Sequence, residues 1–175
     1  IYQGEELGMV QADIPFDRLL DPEAIANWPR TLGRDGARTP MPWDANAPYF
    51  GFSSKEPWLP CDPRHQQSAV DIQTNSQTST FASASALLDL RRSCPALSRG
   101  DIRIHETGDT VLEFERILGS EKVVCIFNLS GDSLKFSARE GLRVLATEEG
   151  PPLENTPVPA RLMAWQGLWL KLEQQ

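Results

Sequence analysis

The sequence predicts an α+β chain in two parts: residues 1–98, a strand remnant with ordered loops and one helix, and residues 99–175, a small antiparallel β-sandwich. Three observations predict it. Prolines and glycines crowd the first part and leave only short periodic runs before residue 79. Residues 79–94 carry the clearest helical spacing. From Gly100 onward, short apolar runs alternate with turn signals.

Ile1–Met9 opens on an apolar pair and continues through Gly4, Glu5, Glu6 and Gly8, the pattern of a buried strand running into a loop. Adjacent side chains of an extended segment point opposite ways, so Glu5 and Glu6 cannot face each other as an acid/base pair. A carboxylate accepting loop N–H groups is the expectation there. Asp21-Pro22-Glu23 is a helix start, with a cap, a proline at the first helical position and an acid in the first turn. Pro29 ends that helix early.

Gly33–Asp44, Gly-Arg-Asp-Gly-Ala-Arg-Thr-Pro-Met-Pro-Trp-Asp, is neither helix nor strand. It reads as a rigid loop that holds Arg34, Arg38 and Trp43 in set positions. A guanidinium fork and an indole face are the groups a protein uses to hold a sugar ring. A local Arg34–Asp35 ion pair that merely braces the loop fits the same residues. Between Ala45 and Asn75, four prolines are interleaved with Tyr49, Phe50, Phe52 and Trp58. Those aromatics either line a groove or, the favoured expectation, pack the loop onto a neighbouring body.

The helix over 79–94 is capped by Ser79 or Thr80 and stopped by Pro95. Phe81, Ala84, Leu87 and Leu88 form a stripe expected to face a core, and Arg91 and Arg92 suit the last turn of the dipole. Beyond it, runs at Ile102–Ile104, Val111–Phe114, Val123–Leu129, Leu134–Phe136, Leu142–Leu145, Ala160–Ala164 and Leu168–Leu172 predict antiparallel strands, with a hairpin about Gly119. Glu113 and Glu115 alternate with Leu112 and Phe114 and are expected on the solvent face. Trp165 and Trp169, at i and i+4, either stack on a sugar from one strand face or, as favoured, pack inward. The first part cannot bury a core alone and resembles a truncated βα unit.

Net charge is −7 and pI about 4.9, which excludes nucleic acid and anionic membrane surfaces as partners. Cys61, Cys94 and Cys125 have no metal-ligand spacing and suggest reduced thiols in a cytoplasmic protein. His65 and His105 are expected in loops or at the surface. No metal and no cofactor are expected. The chain begins at Ile1 without a methionine and is expected to be a piece of a longer protein.

Several stretches, in order, resemble the α-glucosidase branch of the α-amylase family of glycoside hydrolases. Tyr2-Gln3-Gly4-Glu5-Glu6-Leu7-Gly8 looks like the end of the eighth strand of the family's catalytic barrel. Gly33–Trp43 resembles the branch motif R-D-x-x-R-T-P-M-x-W, with Pro42 where many members carry glutamine. The proline form resembles a bacterial subgroup acting on maltose-type glucosides. Gly51-Phe52 and Pro57-Trp58-Leu59-Pro60 follow at about the family interval, and Leu87–Arg92 before Pro95-Ala96-Leu97 resembles the last barrel helix.

The resemblance implies that residues 1–98 are the end of a TIM-type βα barrel and residues 99–175 its C-terminal β-sandwich. It implies a retaining α-glucosidase acting on terminal bonds of maltose-like oligosaccharides, with carboxyl groups about 5 Å apart that come from earlier strands. No catalytic residue is therefore assigned in this chain, which alone is expected to be inactive. Arg38 is the substrate-binding candidate, holding the terminal glucose through its hydroxyls. Arg34 is carried as a second candidate, although with Asp35 it also suits the role of brace. A transglucosidase on the same scaffold stays open, as does a non-catalytic β-sandwich module for carbohydrate binding or interdomain contact. The partner is a small-molecule oligosaccharide, and exposed apolar surface in the isolated piece is expected to drive self-association.

Overall fold

A computed structural model describes residues 1–31, 33–136, 141–152 and 156–172. They form two compact units, Ile1–Ala82 and Ser83–Gln175.

The first unit is loops punctuated by short helical turns. No strand forms in it among the described residues. The strand expected at Ile1–Met9 is instead a 3₁₀ turn, Glu5–Leu7, between Gly4 (φ 97) and Gly8 (φ 66). An extended segment needs a neighbour for its ladder, and this unit supplies none. Helix α1 (Pro22–Asn27) starts as predicted, with the Asp21 side chain accepting from the Glu23 N–H at 3.2 Å. Helix α2 (Val70–Thr74) follows a 3₁₀ segment, Pro63–Ser68, capped by Asp62. Ala12, Ile14, Leu19, Ala24 and Leu59 form a small apolar cluster. Tyr49, Phe52 and Trp58 are exposed rather than packed down. The loop is held by backbone bonds instead, with Ala12 N–H to Gly36 O at 3.0 Å and Val70 N–H to Pro42 O at 2.8 Å.

Helix α3 (Thr80–Ser93) begins at Ser79, whose hydroxyl accepts from the Ala82 N–H at 3.1 Å. None of its residues is fully buried; Phe81 and Leu88 are exposed and Ala84 and Leu87 half-buried, so among the described residues the expected stripe joins no core cluster. Only Leu90 reaches a cluster, formed by Cys94, Ala96, Leu97, Val123 and Cys125. Pro95 both ends α3 and starts α4 (Pro95–Arg99), a helix absent from the sequence reading. Glu121 accepts from the Ala96 N–H at 2.8 Å and fixes that start.

The antiparallel expectation is met in the second unit. Strands β1 (Asp101–His105), β2 (Val111–Leu118), β3 (Glu121–Asn128), β5 (Leu142–Thr147) and β7 (Gly167–Leu172) form one sheet in the order β1-β2-β3-β7-β5. β2 and β3 make the predicted hairpin, with Leu118 opposite Glu121 and Gly119 at φ 58. β3 is buried on both faces, so its sequence is a continuous apolar run rather than an alternation. Val124 and Ile126 join Val144, Leu162, Leu168 and Leu170, and Val123 and Cys125 join the α4 cluster. Beside this sheet the described residues form a two-stranded ribbon of β4 (Leu134–Lys135) and β6 (Arg161–Leu162), from which Leu162 enters the first cluster; a sheet with this ribbon is less than the two-sheet sandwich expected.

Glu113 and Glu115 are buried, against the expectation of a solvent face. Their register opposite Ile126 and Val124 turns them toward the core side. Glu115 meets Lys122 Nζ at 3.0 Å and lies 3.6 Å from His105 Nε2. Burial pushes its carboxyl up, but Lys122 and His105 outweigh this and leave it below the ordinary value.

Candidate substrate-binding loop

Asp21 and Asp35 build the Gly33–Asp44 loop. The Asp21 carboxylate is buried and takes the Arg34 guanidinium in two bonds, Nε–H at 2.9 Å and Nη2–H at 2.8 Å, and the Arg34 backbone N–H at 2.8 Å. The Arg34 side-chain bonds are the largest reason its carboxyl sits well below the usual range; burial opposes them. Arg34 therefore pairs with Asp21 and not with Asp35, because Gly33 (φ 61) turns the chain back over α1. Asp35, wholly buried, instead accepts the N–H groups of Leu20 at 2.6 Å and Asp21 at 2.7 Å through Oδ2. Its bracing role holds, with the partner changed.

Arg38 stands differently. Its side chain is 37% exposed, and its contact to a carboxylate is Nη1 to Asp35 Oδ1 at 3.7 Å, an ion pair too long for a hydrogen bond. Thr39, Met41 and Pro42 are buried, and Trp43 emerges exposed. Pro42 has no N–H to satisfy, and its carbonyl is used by Val70.

Gly36, Ala37 and Thr39, the residues flanking Arg38, line a pocket of about 210 Å³ together with Tyr2, Gln3, Gly4 and Glu5. Two motifs some thirty residues apart in sequence thus meet at one surface. Glu5, which lines the pocket, and its neighbour Glu6 have the expected structural role: Glu5 accepts from the Tyr2 N–H and Glu6 from the Gly4 N–H, each at 2.9 Å.

His65 lies in the loop region as expected, on the 3₁₀ turn Pro63–Ser68, but it is buried, and its Nε2 lies 2.7 Å from the carbonyl of Val10, which also lines the pocket. The signal available was the Asp62-Pro63 start, which places His65 on a capped turn. Trp165 and Trp169 do not share a strand face: Trp165 is 69% exposed at φ 60 in the turn before β7, whereas Trp169 sits edge-on to Phe127 at 5.1 Å. The three cysteines are free, and burial pushes the Cys125 thiol up to about 12. Among the described residues no cluster of His, Cys, Asp and Glu suits a metal, and no helix is long and apolar enough to cross a membrane.

Residues 1–100 match the family model of the alpha amylase catalytic domain. The chain belongs to the alpha-amylase family. Among curated proteins it is similar to a probable alpha-glucosidase of Rhizobium meliloti, 43% identical over 76% of this chain and 24% of that protein. A glucan 1,6-alpha-glucosidase of Streptococcus dysgalactiae is 31% identical over 98% of the chain and 35% of that protein. Among solved structures, an alpha-glucosyl transfer enzyme superposes with a TM-score of 0.86 at 36% identity, over 99% of this chain and 32% of the other. An isomaltulose synthase mutant from Erwinia rhapontici, solved with sucrose, superposes at 0.79 with 25% identity, over 99% of this chain and 35% of that one. The chain thus spans about a quarter to a third of the length of the relatives it matches.

Proposed function

We propose that this chain is the C-terminal part of a retaining α-glucosidase that releases glucose from the ends of maltose-like oligosaccharides. The observation that supports this reading is the pocket where Tyr2–Glu5 meets Gly36, Ala37 and Thr39, the chain neighbours of Arg38, which is not itself among the lining residues. Arg34 is held by Asp21 and serves the loop; Arg38 keeps donors free for sugar hydroxyls. Charged donors that a bound sugar covers discriminate strongly, since a ligand lacking the matching hydroxyl leaves them unpaired. The nucleophile and the acid lie outside this chain, so the chain alone is inactive. Residues 1–98 then close the catalytic barrel and 99–175 form the β-sandwich domain after it; the family match over 1–100 and the antiparallel sheet that follows support this division. Free thiols at Cys61, Cys94 and Cys125 suit a reducing, cytoplasmic setting. Exposed Ile1, Phe52 and Trp58 support self-association of the isolated chain.

The likeness to the alpha-glucosyl transfer enzyme favours transfer of glucose to a sugar acceptor as a second reading. Kinetics of the chain joined to its upstream reading frame test both. Maltose turnover with Arg38→Ala lowering kcat/KM by about a hundredfold is expected. Oligosaccharide products exceeding free glucose would select transfer, and an unchanged kcat/KM in Arg38→Ala would remove Arg38 from the site. Turnover of an aryl α-glucoside by the chain alone would overturn the assignment of the carboxylates to other segments.

A further inference from the structure

We propose that a second cavity, lined by Asp13, Cys61, Asp62 and Arg64, binds a neutral pyranose. It measures about 300 Å³, at the lower end of the roughly 300–1,000 Å³ of small-molecule sites, and lies wholly within the first unit. Its walls are of two kinds. Pro15, Pro60 and Pro63 supply apolar surface, and the two acids and the arginine supply charge. Arg64 is held in place. Both carboxylate oxygens of Asp62 take its Nε–H at 3.0 Å, and its Nη2 donates to Asp62 Oδ2 at 2.6 Å and to the Gln11 carbonyl at 3.2 Å. Asp13 approaches the same nitrogen through Oδ2 at 3.4 Å. Arg64 Nη1 is thus left as a fixed donor and Asp13 Oδ1 as an acceptor, neither with a partner among the described residues. A ligand that uses both must accept from one and donate to the other. Neighbouring sugar hydroxyls do this, since each hydroxyl is donor and acceptor. The C–H face of the ring matches the proline surface. An anion would meet two carboxylates, and a cation would leave the Arg64 donor unused. None of these residues belongs to the Gly33–Asp44 loop, so the site stands apart from the function proposed above.

Cys61 is a built-in reporter, because it lines the cavity half-buried while Cys94 and Cys125 are buried elsewhere. In this chain, alkylation of Cys61 by N-ethylmaleimide is followed by mass spectrometry with and without methyl α-glucoside. A bound sugar covers the thiol, so the rate is expected to fall about tenfold at a glucoside concentration ten times Kd. Asp13→Ala is expected to abolish that protection. Its side chain is 76% exposed, so the substitution leaves the fold intact. Amide signals of Asp13, Cys61 and Arg64 are expected to shift with the same Kd. No protection, or protection unchanged in Asp13→Ala, would overturn the proposal. Amide shifts confined to Gly36 and Ala37 would place the sugar in the other pocket and overturn it too. Protection by n-butylammonium or inorganic phosphate, with none by the glucoside, would make the site one for an ion and overturn it equally.

Discussion

The two units are stabilised by different means. The second buries apolar side chains on both faces of one sheet, and its central strand β3 contributes to two clusters. The first has one small cluster in which two of five members are alanines, and its interior holds Asp21, Asp35, Thr39, His65 and Gln73. Loop backbone has no ladder, so each N–H and C=O needs an individual partner. In the first unit carboxylates supply many of these: Asp35 for residues 20 and 21, Asp21 for residues 23 and 34, Glu5 for Tyr2 and Glu6 for Gly4. The difference teaches that the loop unit is fixed by directional polar bonds, whereas the sheet is fixed by non-directional burial.

The largest test of that contrast lies in the sheet. Leu170 is wholly buried in the first cluster. Leu170→Ala should cost about 2–5 kcal/mol, read as a fall in the urea midpoint of the sheet. An unchanged midpoint would mean that apolar burial does not hold this unit. The corresponding test in the loop is steric. A Cβ on Gly36 would run into the Ala12 carbonyl oxygen and sit 2.8 Å from Gln11 Cγ. Gly36→Ala should cost about 1–3 kcal/mol and abolish hydrogen-exchange protection of the Ala12 amide, which is bonded to Gly36. Retained protection would show that the loop does not depend on this close approach.

Acid sharpens the comparison further. The folded-state pKa of Asp21 is depressed, chiefly by the Arg34 side chain. Its stabilising contribution is therefore complete above the unfolded carboxyl value of about 4 and is lost as pH falls below that toward the folded value. The Arg34 backbone amide should keep its native chemical shift at pH 5 and lose it on strong acidification. Glu121 in the second unit, held down first by the Lys171 hydrogen bond, has the same sign, so Asp21→Asn provides the control. The variant should show no acid step at Arg34; a step that persists would assign it to another group.

What was legible follows the same division. Strand positions, the Gly119 hairpin and the Ser79 cap could be read because periodicity and turn chemistry are local. The cap at Asp21 is local too. The Asp21–Arg34 pair was not legible, because thirteen residues separate its members and only the folded loop brings them together. The burial of Glu113 and Glu115 was missed because alternation assigns two faces without saying which faces water. The burial of His65 was not legible for the same reason as the Asp21–Arg34 pair: its partner, the Val10 carbonyl, is fifty-five residues away. The meeting of the two motifs at one pocket was implied by their resemblance and by nothing in their spacing.

The smallest effect concerns strain beside the exposed Trp43. Tyr49 (φ 50), Phe50 (φ 54) and Gly51 (φ 71) adopt the left-handed region in succession. For an L-residue with a Cβ this conformation costs about 1–2 kcal/mol. It persists because the Phe50 carbonyl takes two N–H groups, from Trp43 at 2.8 Å and Asp44 at 3.0 Å, while the Asp44 side chain holds Asn46 and Ala47. Asparagine enters the left-handed region more readily than tyrosine, and Tyr49 is exposed, so little burial is lost. Tyr49→Asn should therefore stabilise the first unit by about 0.5–1 kcal/mol, seen as a small rise in Tm. A fall in Tm would mean that the tyrosine ring contributes more contact than its backbone costs, and the loop would then depend on an aromatic as the sheet does. A rise would mean that polar bonds alone hold this turn against its own preference.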